Sequence, residues 1–225
     1  MEEVALVGPV RHDGLMTGKI DFKKSLDAYQ ARKGVFRVLE VPPLQYLMID
    51  GHGDPNTSTA FTTAVEALYP LAYTLKFTSK RELDRDFVVM PLEGLWWAKD
   101  HASFTTARDK SQWSWTLMLM QPDWIDGAMF SDAVTTASEK NPTARVGDVR
   151  LQTLTEGLSV QTLHVGTYDD EAPVLARMHD EFIPQNALSM TGLHHEIYFS
   201  DPRKGDPSKR RTILRQPVTR RIETS

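Results

Sequence analysis

The spacing of apolar residues changes period several times along this chain, and each change marks an element. Residues 36–50 read as two extended pieces joined at Pro42-Pro43, since a residue that precedes proline is driven out of the helical region. The second piece, LQYLMID, alternates as a half-buried strand does. GHGDPN at 51–56 is a dense turn signal. Phe61, Val65, Leu68, Leu71, Ala72 and Leu75 then fall on one apolar stripe at helical spacing. Asn56 or Thr57 suits the cap, and Pro70 is expected to kink the helix because it removes a backbone bond. DFVVMPLEGLWW at 86–97 reads as one or two strands with a break near Pro91 or Gly94.

The second half repeats this order. QWSWTLMLM at 112–120 is a strand, and 122–140 shows helical spacing at Ile125, Met129, Ala133 and Ala137. Residues 149–154 and 158–165 read as a hairpin around Glu156-Gly157. A helix follows, with Asp169 and Asp170 in its first turn, Pro173 near its start, and Leu175, Met178 and Phe182 as its buried stripe. Strands at 194–199 and 211–218 close the pattern. Runs of strands and helices without a steady β-α-β alternation give an α+β class with a mainly antiparallel sheet. Residues 36–98 and 112–218 are the two candidate modules, 19–33 a helical turn or arm stopped by Gly34, and 1–18 an extension.

Composition narrows the chemistry. With 225 residues, 40% of them apolar, a core forms without metal or crosslink. Cysteine is absent, which excludes disulfides, zinc thiolates and a cysteine nucleophile. The net charge of -4 is wrong for a general nucleic-acid binder, whose affinity comes from phosphate neutralisation. The basic residues Lys209, Arg210, Arg211, Arg215, Arg220 and Arg221 read as a solvated strand and tail. No run approaches the ~20 apolar residues of a membrane span, and the N-terminus lacks the apolar run of a signal peptide. The expectation is a cytoplasmic monomer with no nucleic-acid or membrane partner, no cofactor and no metal.

On a strand over HHEIYF, His194, Glu196 and Tyr198 share one face, with Ile197 and Phe199 on the other, which is expected to pack on helices. The adjacent histidines face opposite ways and make no metal pair. Of the five tryptophans, Trp96 and Trp97 must lie on opposite faces and Trp113 and Trp115 on the same one. That is more indole than a thin sheet core needs, so some should line a concavity for a flat apolar ligand. Dinucleotide, P-loop, nucleophile-elbow and zincin signatures are absent, and GHGDPN reads as turn chemistry.

KIDFKK (19–24), GHGDPN (51–56), PLEGLWW (91–97), HVGTYDDEAP (164–173), HHEIYFSDPRK (194–204) and TILRQPV (212–218) together resemble the GyrI-like small-molecule-binding proteins. The resemblance covers about 19–218 and is closest to the stand-alone branch that includes the cyclopropanoid cyclopropyl hydrolases, which act on yatakemycin and other duocarmycin-type DNA alkylators. It implies tandem strand-helix-strand-strand modules related by a pseudo-two-fold, forming one concave antiparallel sheet groove. It makes Glu196 the central pocket carboxylate. It also implies an aromatic cage, for which Trp96, Trp97, Trp115, Tyr168, Phe182 and Tyr198 are the candidates, with His194 beside them. Many relatives carry an N-terminal helix-turn-helix; the residues before Phe36 are too few for one, so a transcription factor is not expected.

For such a hydrolase, Tyr198 would donate to the dienone oxygen and Glu196 would activate water, with Glu93 in reserve. Two other readings stay open: a binder that sequesters a drug without breaking a bond, and a module that docks on a macromolecular partner.

Overall fold

The computed structural model describes residues 18–98, 109–142, 144–200 and 206–221; residues 1–17 of the expected extension and 201–204 of the HHEIYFSDPRK run lie outside the described residues. Among the described residues nine strands carry the architecture: β1 (Arg37–Val41), β2 (Leu44–His52), β3 (Leu92–Trp97), β4 (Ser114–Gln121), β5 (Arg150–Leu154), β6 (Gly157–Val165), β7 (Leu188–Met190), β8 (His194–Tyr198) and β9 (Arg211–Arg220). They pair antiparallel in the order β1-β6-β9-β8-β3-β4-β2-β5, and β7 adds to β9.

Helices cover one face of this sheet. α1 (Phe22–Ser25) is a single turn; α2 (Thr59–Glu82) and α3 (Gly127–Lys140) are the long ones. The Ser58 side chain accepts from the Ala60 N–H and starts α2, one residue beyond the expected cap. The helix runs on through Pro70 to Glu82. Leu68, Leu71 and Leu75 are fully buried on its sheet side, each stabilising the fold by ~1.5–3 kcal/mol. Asp126 caps α3 through the Met129 N–H. The third helical run is α4 (Ala172–Ala176), a π-helical turn (Arg177–Phe182) and α5 (Ile183–Gln185). Pro184 has no N–H with which to continue the α pattern.

Two strand assignments differ from the sequence reading. β5 and β6 are not a hairpin. Arg37 faces Gln161, Val41 faces Gly157, Leu44 faces Leu154 and Met48 faces Arg150, one unbroken antiparallel register. The 37–52 run, interrupted at Pro42-Pro43, therefore pairs with the 150–165 run, interrupted at Thr155-Glu156. Proline supplies no ladder donor, so the break falls there. The two ends of the strand path are thereby brought together, and the sheet curls around an inner face. β4 also differs from the expectation. It lies between β2 and β3 and completes the first unit rather than opening the second.

The first unit is thus β2-α2-β3-β4, with spatial order β2-β4-β3. In the second, β6, the helical run, β8 and β9 follow in the same chain order, with spatial order β6-β9-β8. The units meet along β3 and β8, where Gly94 faces Glu196.

The inner face holds Leu39, Tyr46, Met118, Met120, Ile197 and Ile213, sealed by Ala28 and Tyr29 from the segment ahead of β1. Ile197 and Phe199 belong to this cluster, so the apolar face of β8 looks inward, away from the helices. That reverses the expected orientation: the curled sheet has a core of its own on that side. Arg215, read from the sequence as solvated, is fully buried here. Its guanidinium donates to Glu156 at 2.6 Å, to Gln161 at 3.0 Å and to the Ala28 carbonyl at 2.5 Å. His195 bridges Glu93 and Glu156 at 2.9 Å each, and Tyr29 donates to Glu93 at 2.6 Å. Burial alone would lower the imidazole's pKa, but the Glu156 charge and the bonds to Glu156 and Glu93 lift it to about 9. Burial would likewise raise Glu156, but His195 and Arg215 hold it down to about 2.

Candidate functional site

Because side chains alternate along a strand, Leu92 and Trp96 of β3 and His194, Glu196 and Tyr198 of β8 all point out towards the helices. They floor a groove of about 1740 Å³ that lies over the junction of the two units. Phe61, Val65, Tyr69 and Tyr73 of α2 form one wall, and Glu171, at the end of the 3-10 turn Tyr168–Glu171, lines the other side with Leu175 and His179 of the third helical run. Lys23 and Lys110 also reach the groove, Lys110 with its ammonium 3.5 Å from Asp169 and 5.9 Å from the Trp113 ring centre.

The polar groups of the floor are joined in a chain. The Trp96 indole N–H donates to the Tyr198 hydroxyl at 2.9 Å, and Tyr198 donates to Glu196 Oε2 at 2.7 Å. Glu196 Oε1 lies 3.4 Å from His194 Nε2, and neither His194 ring nitrogen makes a hydrogen bond. Burial, reinforced by the Glu196 charge and hydrogen bond, pushes the Tyr198 phenol well above its ordinary value. Tyr198 thus keeps its proton, directed at Glu196. Tyr168 packs edge-on against Tyr198 with ring centres 5.8 Å apart, and Arg210 stacks over Tyr168. Trp113 meets Trp96 edge-on at 5.7 Å.

Among the candidates read from the sequence, Trp96, Tyr168, His194, Glu196 and Tyr198 come together here. Trp97 turns to the opposite face from Trp96 and packs on the inner cluster, while bordering the groove at the end of β3. Trp115, Phe182 and Glu93 do not line it. Trp115 is fully buried over Gly51, where a Cβ would come within 1.9 Å of the indole, so this glycine is a seat for a ring rather than turn chemistry. Phe182 packs on Phe36 at 5.2 Å. Glu93 is enclosed with Tyr29 and His195 on the inner face. Phe61, Glu171 and His179 also line the groove and were not expected there from the sequence. Phe61 is on the α2 stripe, and helical spacing does not separate a groove wall from a core. Glu171 hid in the acidic first turn, and His179 belongs to the π-helical turn, a geometry often found at functional sites.

Residues 35–218 match the GyrI-like small molecule binding domain. The chain belongs to that family. Three solved structures from Listeria innocua are similar to this GyrI-like protein over nearly its whole length. A conserved protein is 41% identical, with 89% of this chain and 100% of that one covered and a TM-score of 0.81. Two others, each named a hydrolase, are 40% and 39% identical, with 89% and 90% of this chain and 100% of theirs covered and TM-scores of 0.78 and 0.80. No curated protein matches the chain. Among the described residues no group of histidines and carboxylates could hold a metal ion, and no helix is long and apolar enough to cross a membrane.

Proposed function

We propose that this GyrI-like protein hydrolyses the cyclopropane of spirocyclopropyl-dienone DNA alkylators, and so detoxifies them. The observation that carries the proposal is the Trp96–Tyr198–Glu196 hydrogen-bond chain on the floor of an aromatic-walled groove. Aromatic faces hold a flat ligand, and a carboxylate whose Oε1 is not taken by Tyr198 can accept a proton. Two Listeria structures of similar sequence that bear the name hydrolase support a reaction rather than storage.

Water's oxygen bonds to the cyclopropane methylene, the ring carbon–carbon bond breaks, and its electron pair passes into the dienone. Glu196 Oε1 takes the proton lost by the water. The ring oxygen, now a phenolate, takes a proton from Tyr198, and Tyr198 recovers one from Glu196; the sum is the addition of one water. The Tyr198 hydroxyl donates to Glu196 before the reaction, so its donation to the ring oxygen belongs to the moment when charge develops there. Much of the acceleration comes from holding the strained ring beside water.

Purified protein given a spirocyclopropyl-dienone in large excess should form the hydroxymethyl phenol well beyond one equivalent. Saturation at one equivalent would instead mark a sequestering binder. Glu66, Glu171 and Asp180 along the same groove favour that second reading for a cationic aromatic ligand, whose charge they would balance.

A further inference from the structure

Gly94 stands at the centre of β3, directly opposite Glu196 across the junction of the two units. Its φ is not positive, so the backbone there does not call for glycine. What the position cannot accept is a side chain. A Cβ would come 2.8 Å from Trp96 Nε1, 3.1 Å from Trp96 Cε2 and 3.3 Å from the Tyr198 hydroxyl. A glycine within a strand marks a close approach by another group. Here that group is the Trp96 indole, which lies back along its own strand to reach Tyr198.

Counted from the facing pair Gly94–Glu196, Trp96 and Tyr198 stand at the same step along their strands, two residues on. The two aromatics lean towards each other and meet over the centre. One unit supplies a carboxylate at that centre, and the other supplies empty space. A second side chain would push the indole off and release the Tyr198 hydroxyl.

We propose that Gly94 is the positioning residue of the groove. Its missing side chain lets Trp96 lock the Tyr198 proton onto Glu196 Oε2, so that Glu196 presents one oxygen, Oε1, to the bound molecule. The groove therefore recognises a ligand, or a ligand-bound water, that donates a hydrogen to this oxygen beside a flat apolar ring. The proposal rests on the reading that Glu196 faces the ligand.

Five full-length proteins test it: wild type, Gly94→Ala, Trp96→Phe, the double variant Gly94→Ala/Trp96→Phe, and Tyr198→Phe as the reference for a broken Trp96–Tyr198 bond. Phenylalanine lacks both the indole nitrogen and the fused ring that the new Cβ would strike. The first readout is the indole N–H resonance of Trp96 in a 15N-labelled protein, assigned by its loss in Trp96→Phe. It should move in Tyr198→Phe and move likewise in Gly94→Ala. The second readout is turnover of a spirocyclopropyl-dienone model compound. Gly94→Ala should lose at least tenfold, while in the double variant the alanine should cost nothing beyond Trp96→Phe alone. If Gly94→Ala fails to fold and the double variant folds, the clash with Trp96 is confirmed as the cause. Multiplying losses in the double variant, an unmoved indole resonance in Gly94→Ala, or a double variant that also fails to fold would each overturn the proposal. If wild type shows no turnover, the hydrolase reading falls, and the resonance and folding arms still decide the role of Gly94.

Discussion

Trp96 and Trp115 face each other across β3 and β4 and are both nearly inaccessible, yet they have different tasks. Trp96 closes the hydrogen-bond chain to Tyr198, whereas Trp115 fills the space over Gly51 and donates to the Gly53 carbonyl at 3.2 Å. Trp96→Ala is expected to weaken binding of a spirocyclopropyl-dienone by ~1 kcal/mol or more, as the groove floor loses the ring that holds Tyr198. Trp115→Ala should instead destabilise the fold by ~3–5 kcal/mol. Parallel titration and thermal melting separate the two; equal effects on binding would mean that Trp115 also serves the groove. Sequence alone placed Glu196 and Tyr198 on one face, because strand alternation is a local rule. It could not sort the indoles, because whether a ring faces a core or a groove depends on what covers it. Gly51 gave the only local hint, and it was absorbed into a turn.

Among the elements, β3 and β8 carry two environments back to back. Glu93 and His195 point inward from the positions next to Gly94 and Glu196. The inner network ties β3, β8 and β9 to Glu156, at the interruption between β5 and β6. A folded-state pKa near 9 lies above the ordinary 6.5 of histidine, so charging His195 favours the folded state. That contribution is complete below pH 6.5 and is lost as pH rises past about 9; its size is on the order of 3 kcal/mol. Melting temperature should fall over this window in wild type and much less in His195→Gln. Parallel curves for the two proteins would contradict the assignment. The strands of this network were legible, but their pairing was not. Glu156-Gly157 suggested a hairpin, whereas β5 and β6 pair with β2 and β1, more than a hundred residues away, a distance over which periodicity says nothing.

At the scale of the whole molecule, the family match begins at residue 35, but the inner face is closed by the segment before it. Tyr29 donates to Glu93, and the carbonyls of Ala28 and Gln30 accept from Arg215 and Gln161. A chain starting at Gly34 leaves these buried groups without partners and should melt ~10 °C or more below one starting at Lys19. Matching melting curves would show that the segment is dispensable. The two units were only partly visible in the sequence, which set β4 at the head of the second; the curl that encloses the inner face was not visible, because it depends on the shared register of two interrupted strands.

Hydrolysis at the groove floor is tested most directly with Glu196→Gln, which keeps the shape and still accepts the Tyr198 hydrogen bond but removes the base. Product formation from a spirocyclopropyl-dienone, followed by chromatography beside a binding titration, should show near-normal affinity and a rate at least ~100-fold below wild type. An undiminished rate in this variant would contradict the account and leave ring positioning, without a protein base, as the source of catalysis.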